Sequence, residues 1–488
     1  MFCNKDRNKF GMMNPLLIVA IGIAVVLFCI IVLRLHVLLS LLAAAFITGI
    51  FCSQPQLYQY AVHSGMAAAE AGRFSHQTIG TRLSNAFGST AAKIGLVVIF
   101  ASVIGSALIR SGAAERIIRS LLKGVGEQNA AVAFLSGSFS LAIPIFIDMV
   151  YFLMVPLVKS MGVHNPRKFS LYLSCGVGGG VMAHAMIPPT PGPTFVANEL
   201  GVNHGIMMAM GLVVGIFTIL CGYAYAVWAN RKWDLPMRDT PDITVQELKQ
   251  KAELPLDSLP GLGPSLLPVV LPILLIAGNT ILNLLVPKQG ASPFRQGLLK
   301  FFQVAGDSNI ALFISALCAL LLLWQRLKNA KAFQKIVSEA VMSAGMIVLI
   351  ISAGGTFGQM LQQTGIGAQI GDMASTYKTF ILPLAFLITA VVRTAQGSAT
   401  VAMVTTIGVM KGFSSPEVLG FHPVYLALVI GCGSKIFSWM NDSGFWIVTE
   451  LSGMKEKETV RVFSYMLTVM GVAGLVAVMI LSKVFPLI

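Results

Sequence analysis

The chain has 488 residues, of which 56% are hydrophobic and only 11% charged, about half the charged share of a soluble domain. With a mean hydropathy of +0.79, it carries more apolar surface than a water-soluble fold can hide, which excludes a soluble enzyme, a nucleic-acid-binding protein and a disordered chain. The net charge of +14 sits mostly in short loops, as the positive-inside rule expects, and forms no basic stripe interleaved with aromatics.

One membrane span takes roughly 20 apolar residues, and the chain supplies roughly ten or eleven such segments. In chain order, apolar runs fall near 14–33, 37–53, 91–110, 205–228, 265–286, 308–325, 340–359 and 462–484. The first follows Lys5, Arg7 and Lys9. It is too long for a signal-peptide core and has no small-x-small cleavage site, so it reads as a retained helix. Residues 53–90 read as a polar, partly helical loop. Two further stretches, 128–200 and 379–450, are apolar but interrupted by Gly, Pro, Ser and charge. Residues 229–263, with Arg231, Lys232, Arg238, Lys249 and Lys251, read as a cytoplasmic linker between a first transmembrane half, 1–228, and a second, 264–488. The seven cysteines form no CxxC pair and read as small hydrophobes rather than metal ligands.

The two halves look related. Gly105 and Gly112 recur 253 residues on as Gly358 and Gly365, and Gly178 and Gly180 recur as Gly431 and Gly433. Each half runs span, short amphipathic stretch, broken hairpin, broken span, final span. The stretch 110–123 carries Arg110, Arg116, Arg119 and Lys123, whereas its counterpart 362–377 carries no Lys or Arg. Equivalent loops of opposite charge bias belong on opposite membrane faces. The fold expected is therefore an all-α polytopic membrane protein of two inverted-topology repeats, each with a re-entrant hairpin and a broken transmembrane helix.

Irregular backbone at membrane depth has to face protein or a water-filled cavity. Four such breaks are predicted, around Pro144, around Pro188-Pro189-Thr190-Pro191, around Gly397-Ser398, and around Asn441-Asp442-Ser443-Gly444. Half-helix N-termini at such breaks suit an anionic substrate. The same four stretches hold the intramembrane polar groups. Asp148 lies in an otherwise apolar run, where an ionised carboxylate costs at least ~2.5–3.5 kcal/mol unless paired or in a cavity. Arg393 is permanently charged and is either the substrate anchor or the counter-ion of Asp148. Asp442 sits in what would be an ordinary turn in a soluble protein; between apolar segments it reads as a site, held ionised by Asn441 and Ser443. Ser398, Thr400, Asn441 and Ser443 are neutral donors suited to substrate hydroxyls or to capping the breaks. His184 is either a proton carrier or a packed core histidine. Lys435 is a further intramembrane charge whose ordinary explanations are a pair with Asp442 or a snorkelling side chain. Gly176-Val-Gly178-Gly179-Gly180 has no phosphate-loop context and reads as a site of close helix approach.

At these breaks the chain resembles the gluconate permease (GntP) family of carboxylate:proton symporters. The resemblance is carried by Ile143-Pro-Ile-Phe-Ile-Asp148, by His184 through Pro193, by Arg393-Thr-Ala-Gln396-Gly-Ser398-Ala-Thr400-Val-Ala402, and by Asn441-Asp-Ser-Gly-Phe-Trp446. It covers nearly the whole chain and implies an inner-membrane importer of sugar acids or related small carboxylates within the wider ion-transporter superfamily. The chain departs from the familiar pattern at Thr190 and Trp439, each of which stands where that pattern has histidine.

These readings make the leading function secondary active uptake of a small organic anion, gluconate or a related sugar acid, coupled to proton or sodium entry, with no cofactor and no metal. D-serine or another small carboxylate is the alternative cargo. The substrate set expected is Arg393, Gln396, Ser398, Thr400, Asn441, Asp442, Ser443, Thr190 and His184. Asp148 or Asp442 carries the proton, and Asp148 is preferred because its neighbours are apolar. The partners expected are the anion, the coupling ion, the lipid bilayer and a second copy in a homodimer, with no nucleic acid. An intramembrane aspartyl enzyme built on Asp148 and Asp442 and a passive anion channel are the competing classes.

Overall fold

The computed structural model describes residues 14–238, 258–285, 293–365, 380–413 and 419–487. Lys5, Arg7, Lys9, Lys249, Lys251 and most of 362–377 lie outside the described residues. Every regular element described is helical. The first half contains α1 (Pro15–Ile31), α2 (Val37–Phe51), α3 (Gln54–His63), α4 (Ala68–Ser75), α5 (Ile79–Arg110), α6 (Ala113–Val125), α7 (Ala130–Leu141), α8 (Ile147–His164), α9 (Phe169–Met186), α10 (Pro191–Glu199) and α11 (His204–Lys232). The second contains α12 (Leu262–Leu285), α13 (Pro293–Ala305), α14 (Ser308–Leu327), α15 (Ala330–Gln362), α16 (Ile381–Gln396), α17 (Ala399–Met410), α18 (Val424–Gly433) and α19 (Ser443–Ser452). It closes with α20 (Glu456–Val484), which includes a π-helical turn at Val460–Ser464.

Among the described residues, seven helices are long and apolar enough to cross a membrane, or eight if α2 and the start of α3, bent by 102°, act as one span. That is fewer than the ten or eleven expected, because the apolar helices Ala130–Leu141, Ile381–Gln396, Ala399–Met410 and Val424–Gly433 are too short to cross, whereas the interrupted stretch Pro166–Glu199 is long enough. Large apolar side chains point outward from the long helices: Leu220, Leu274, Leu321 and Ile480 are each more than half exposed. In water this would be a liability; in a bilayer it is the lipid-facing surface.

The expected loop over 53–90 is corrected. It contains α3 and α4, and from Ile79 onward it is the first part of the long helix α5. Thr78 starts that helix by accepting from the Thr81 amide. Arg82 is buried within α5. Its guanidinium donates to Gln363 Oε1 at 2.7 Å and to the Gly49 carbonyl at 3.1 Å, so the charge is tolerated inside a helix by local acceptors.

The offset of 253 residues reappears in the element boundaries. Shifting the starts of α5, α7, α8, α9, α10 and α11 by 253 lands within two residues of the starts of α15, α16, α17, α18, α19 and α20. α5 packs on α15, α11 on α20, and α9 on α18. The glycine run of α9 does admit close neighbours. A Cβ on Gly179 would lie 2.3 Å from the Leu135 carbonyl oxygen of α7, and one on Gly180 would lie 3.0 Å from Ala142 Cβ.

The short helices leave the middle of the molecule in two directions. α8 packs against α19, and Lys159 of α8 donates to the Leu451 carbonyl near the C-terminus of α19 at 3.3 Å. α10 packs against α17, and their C-terminal ends are joined by Lys411, which binds Glu199 at 2.7 Å; Lys93 of α5 binds the same carboxylate at 2.6 Å. Residues Pro166–Glu199 are long and apolar enough for one span despite the break between Met186 and Pro191, so α10 leaves that break on the side away from the start of α9.

Candidate functional site

All four predicted breaks are present. α7 ends at Leu141, and Pro144, which has no N–H to continue a helix, precedes the restart at Ile147. α9 ends at Met186 ahead of Pro188 and Pro189, and α10 begins at Pro191, a residue type pre-shaped for a first helical turn. α16 stops where Gly397 takes φ +79°, and Ser398 caps α17 by accepting from the Val401 amide at 3.4 Å. α18 ends at Gly433, and Asp442 caps α19 by accepting from the Gly444 amide at 3.0 Å.

A single cavity of about 420 Å³ is bordered by the starts of all four following helices. Ile147 and Asp148 belong to α8, Pro191 to α10, Ala399 and Thr400 to α17, and Ser443 and Gly444 to α19. The peptide dipoles of each helix place partial positive charge at its start, although Pro191 of α10 has no N–H and Ser398 and Asp442 already cap one amide each on α17 and α19. Four such starts around one space favour an anion before any side chain is counted.

The side chains add two cations and two carboxylates, arranged differently from the sequence reading. Arg393 is corrected as the counter-ion of Asp148: its Nη2 donates to Asp442 Oδ2, and its Nη1 donates to the Gly397 carbonyl. The side chains of this pair are 4% and 14% exposed. The last turn of α16 simply faces the cap of α19. Asp442 is likewise not held by Asn441 and Ser443. Its donors are Arg393, the Ser438 hydroxyl and the Gly444 amide. Asn441 turns away and gives its Nδ2 to the carbonyls of Thr394 and Ala395 at 2.7 and 3.2 Å. Trp439 also donates to Thr394, at 2.9 Å. Both thereby cover free carbonyls at the C-terminus of α16.

Asp148 borders the cavity and has no side-chain hydrogen bond or ion pair among the described residues. Gln396 borders it too; its amide oxygen and nitrogen are both buried and without a partner. His184 lines the same wall, with its ring edge-on to Phe146 at 6.3 Å and its Nδ1 unpartnered. Of the expected set, Arg393, Gln396, Ser398, Thr400, Asn441, Asp442, Ser443, His184 and Asp148 converge here. Thr190 does not border the cavity: it is buried, and its hydroxyl donates to the Ile187 carbonyl at 2.6 Å. Lys435 and Tyr151 line the cavity outside the expected set. Tyr151 falls three residues after Asp148 on α8, the helical spacing that places both on one face, and that spacing is the signal that would have found it. Lys435 does not snorkel; it is 5% exposed and makes no hydrogen bond or ion pair among the described residues, although the charges of Asp442 and Asp148 act on it at longer range.

No group of three or more His, Cys, Asp or Glu side chains suited to a metal occurs among the described residues. The six described cysteines are free.

Residues 14–484 match the family model described as GntP family permease. The chain belongs to the GntP permease family. A GntP relative from Haemophilus influenzae named an uncharacterized permease is 30% identical over 98% of this chain and 94% of its own. The gluconate permease of Bacillus subtilis is 31% identical over 96% of this chain and the whole of its own. In fold the chain is similar to the YdaH transporter of Alcanivorax borkumensis, with a TM-score of 0.55 at 14% identity over 84% of this chain and 89% of that one. This GntP member is thus a multi-pass membrane permease and not an enzyme, and the expected family, all-helical polytopic class and membrane location hold. An aspartyl dyad, which needs two carboxylates sharing a proton, also finds no support in the geometry, because Asp442 is committed to Arg393.

Proposed function

We propose that this permease imports a small hydroxycarboxylate of the gluconate type by secondary active transport coupled to proton entry. The observation that carries the reading is the cavity bordered by four helix N-termini, a ready anion site. The cargo class is supported by the gluconate permease name of the Bacillus subtilis relative. The carboxylate sits among the helix starts. The hydroxyls meet Gln396, Thr400 and Ser443, of which Gln396 has both polar atoms unpartnered, as a site for hydroxyl recognition requires.

The inverted repeat supplies the motion. Its support is the shared element register, together with α8 and α19 leaving the cavity one way and α10 and α17 the other. Repeat-related half-helices that run in opposite senses allow one site to open to either face by rocking of one repeat against the other. Asp148 is the coupling group, because its carboxylate is free to take and release a proton. Asp442 is not, because its carboxylate is already bonded to the Arg393 guanidinium, the Ser438 hydroxyl and the Gly444 amide.

Proteoliposome uptake of gluconate, other sugar acids, lactate, glycerate and D-serine, with and without an inward proton gradient, tests the cargo and the coupling together. Sugar acids are expected to accumulate only under the gradient. Accumulation of none of the panel would reject the cargo, and accumulation driven by sodium alone would reject the proton. Asp148→Asn is expected to lose accumulation against a gradient while loaded-carrier exchange continues, since exchange needs no proton release. Concentrative uptake by Asp148→Asn would remove Asp148 from the coupling role.

A further inference from the structure

The cavity wall holds two cations, and they are not equivalent. Arg393 has each terminal nitrogen bonded, to Asp442 and to the Gly397 carbonyl, and only its buried Nε lacks a partner. Lys435, two residues past the end of α18, is only 5% exposed, borders the cavity, and has no hydrogen-bond acceptor among the described residues. The ammonium feels Asp148 and Asp442 without bonding to either and lies near the Arg393 charge, and holding it in a low-dielectric wall is costly. It is costlier beside four helix starts, each of which carries partial positive charge. An anion entering the cavity would relieve both costs at once.

We infer that Lys435 holds the carboxylate of the transported anion, and that Arg393 is a positioning residue. Arg393 ties the α16 terminus to the cap of α19, which keeps the starts of α17 and α19 turned toward the cavity. The inference rests on the anion-carrier reading and sharpens it, because it names the residue that selects for charge. The ammonium is a compact point charge with three donors on a flexible stem, so it grips a carboxylate without demanding the two-point geometry of a guanidinium. Neutral polar groups such as Gln396 then read the hydroxylated chain beside it. The ligand class is a small monocarboxylate bearing hydroxyls, and the matching amide is the discriminating analogue.

Binding to the purified full-length protein in nanodiscs, read by intrinsic tryptophan fluorescence, tests this with sodium gluconate and with uncharged gluconamide. The native protein is expected to bind gluconate and to discriminate against gluconamide. Lys435→Gln is expected to weaken gluconate binding by about 10- to 100-fold, the range for loss of a charged hydrogen bond, and to erase the preference over gluconamide. Lys435→Arg should retain most of that preference. If Lys435→Gln fails to fold, Lys435→Cys reacted with aminoethyl methanethiosulfonate restores an ammonium after folding and should restore gluconate preference, with gluconate slowing the reaction. Unchanged affinity in Lys435→Gln overturns the inference and leaves the carrier reading standing. Wild-type affinity in Lys435→Gln combined with Asp148→Asn also overturns it, since Lys435 would then only neutralise Asp148. A native protein that binds neither gluconate nor any other small carboxylate rejects the carrier reading and this inference with it.

Discussion

Arg393→Gln is expected to abolish transport and to lower thermal stability sharply. The substitution removes a guanidinium that is almost fully buried from a carboxylate that stays behind, and breaking a buried pair from one side costs about 3–5 kcal/mol. It also frees the Gly397 carbonyl. Combining Arg393→Gln with Asp442→Asn should recover part of the lost stability, because both charges then leave together, but not transport. Combining Arg393→Gln with Asp148→Asn should recover neither. Melting of the purified variants, with uptake measured alongside, checks this. Recovery by the Asp148 double variant would mean that Arg393 serves Asp148 after all.

Gly397→Ala is expected to be nearly as damaging, for a reason of shape. Gly397 has φ +79°, and a Cβ there would stand 2.0 Å from the Asn441 carbonyl oxygen and 2.6 Å from its carbon. Backbone meets backbone at the point where the third and fourth breaks touch, so neither neighbour can step aside cheaply. The left-handed conformation alone costs an alanine roughly 1–2 kcal/mol, and forced displacement of packed structure adds roughly 1–3 kcal/mol. Gly201→Ala is the control: φ is +65° there, with nothing within 4 Å of the new Cβ. It should show only the backbone cost and retain uptake. Equal melting of the two variants would show that the breaks are not in the close contact described.

The sequence reveals the breaks more readily than the contacts made across them. Prolines 144, 188, 189 and 191, Gly397 and the Asn441–Gly444 turn announce themselves because each violates the local rule for an apolar helix. The half-helix starts and the common cavity follow from them. The repeat register is also legible, since the same glycines recur at the same spacing that later matches six helix starts. Which charge meets which is a different kind of fact. Arg393 and Asp442 are 49 residues apart, and no periodicity within one helix encodes a pairing between two. Asp442 was expected to be held by its chain neighbours, yet Asn441 is drawn off to cover the α16 carbonyls. The stretch 53–90 reads as a loop because it is polar, yet Arg82 is carried inside α5, where Gln363 and Gly49 supply acceptors. Thr190 is placed by the Pro-rich break but hydrogen-bonds backward to Ile187 rather than toward the cavity.

The proposed transport cycle carries one anion site, bordered by four half-helix starts, alternately to the two faces of the membrane. Counterflow measures this most directly. Proteoliposomes loaded with unlabelled gluconate and diluted into a trace of labelled gluconate, with no ion gradient, should take the label up transiently above its equilibrium level. Empty vesicles should show no overshoot. Label that only equilibrates, at the same rate whether or not gluconate is inside, would mark an open pathway and contradict the account.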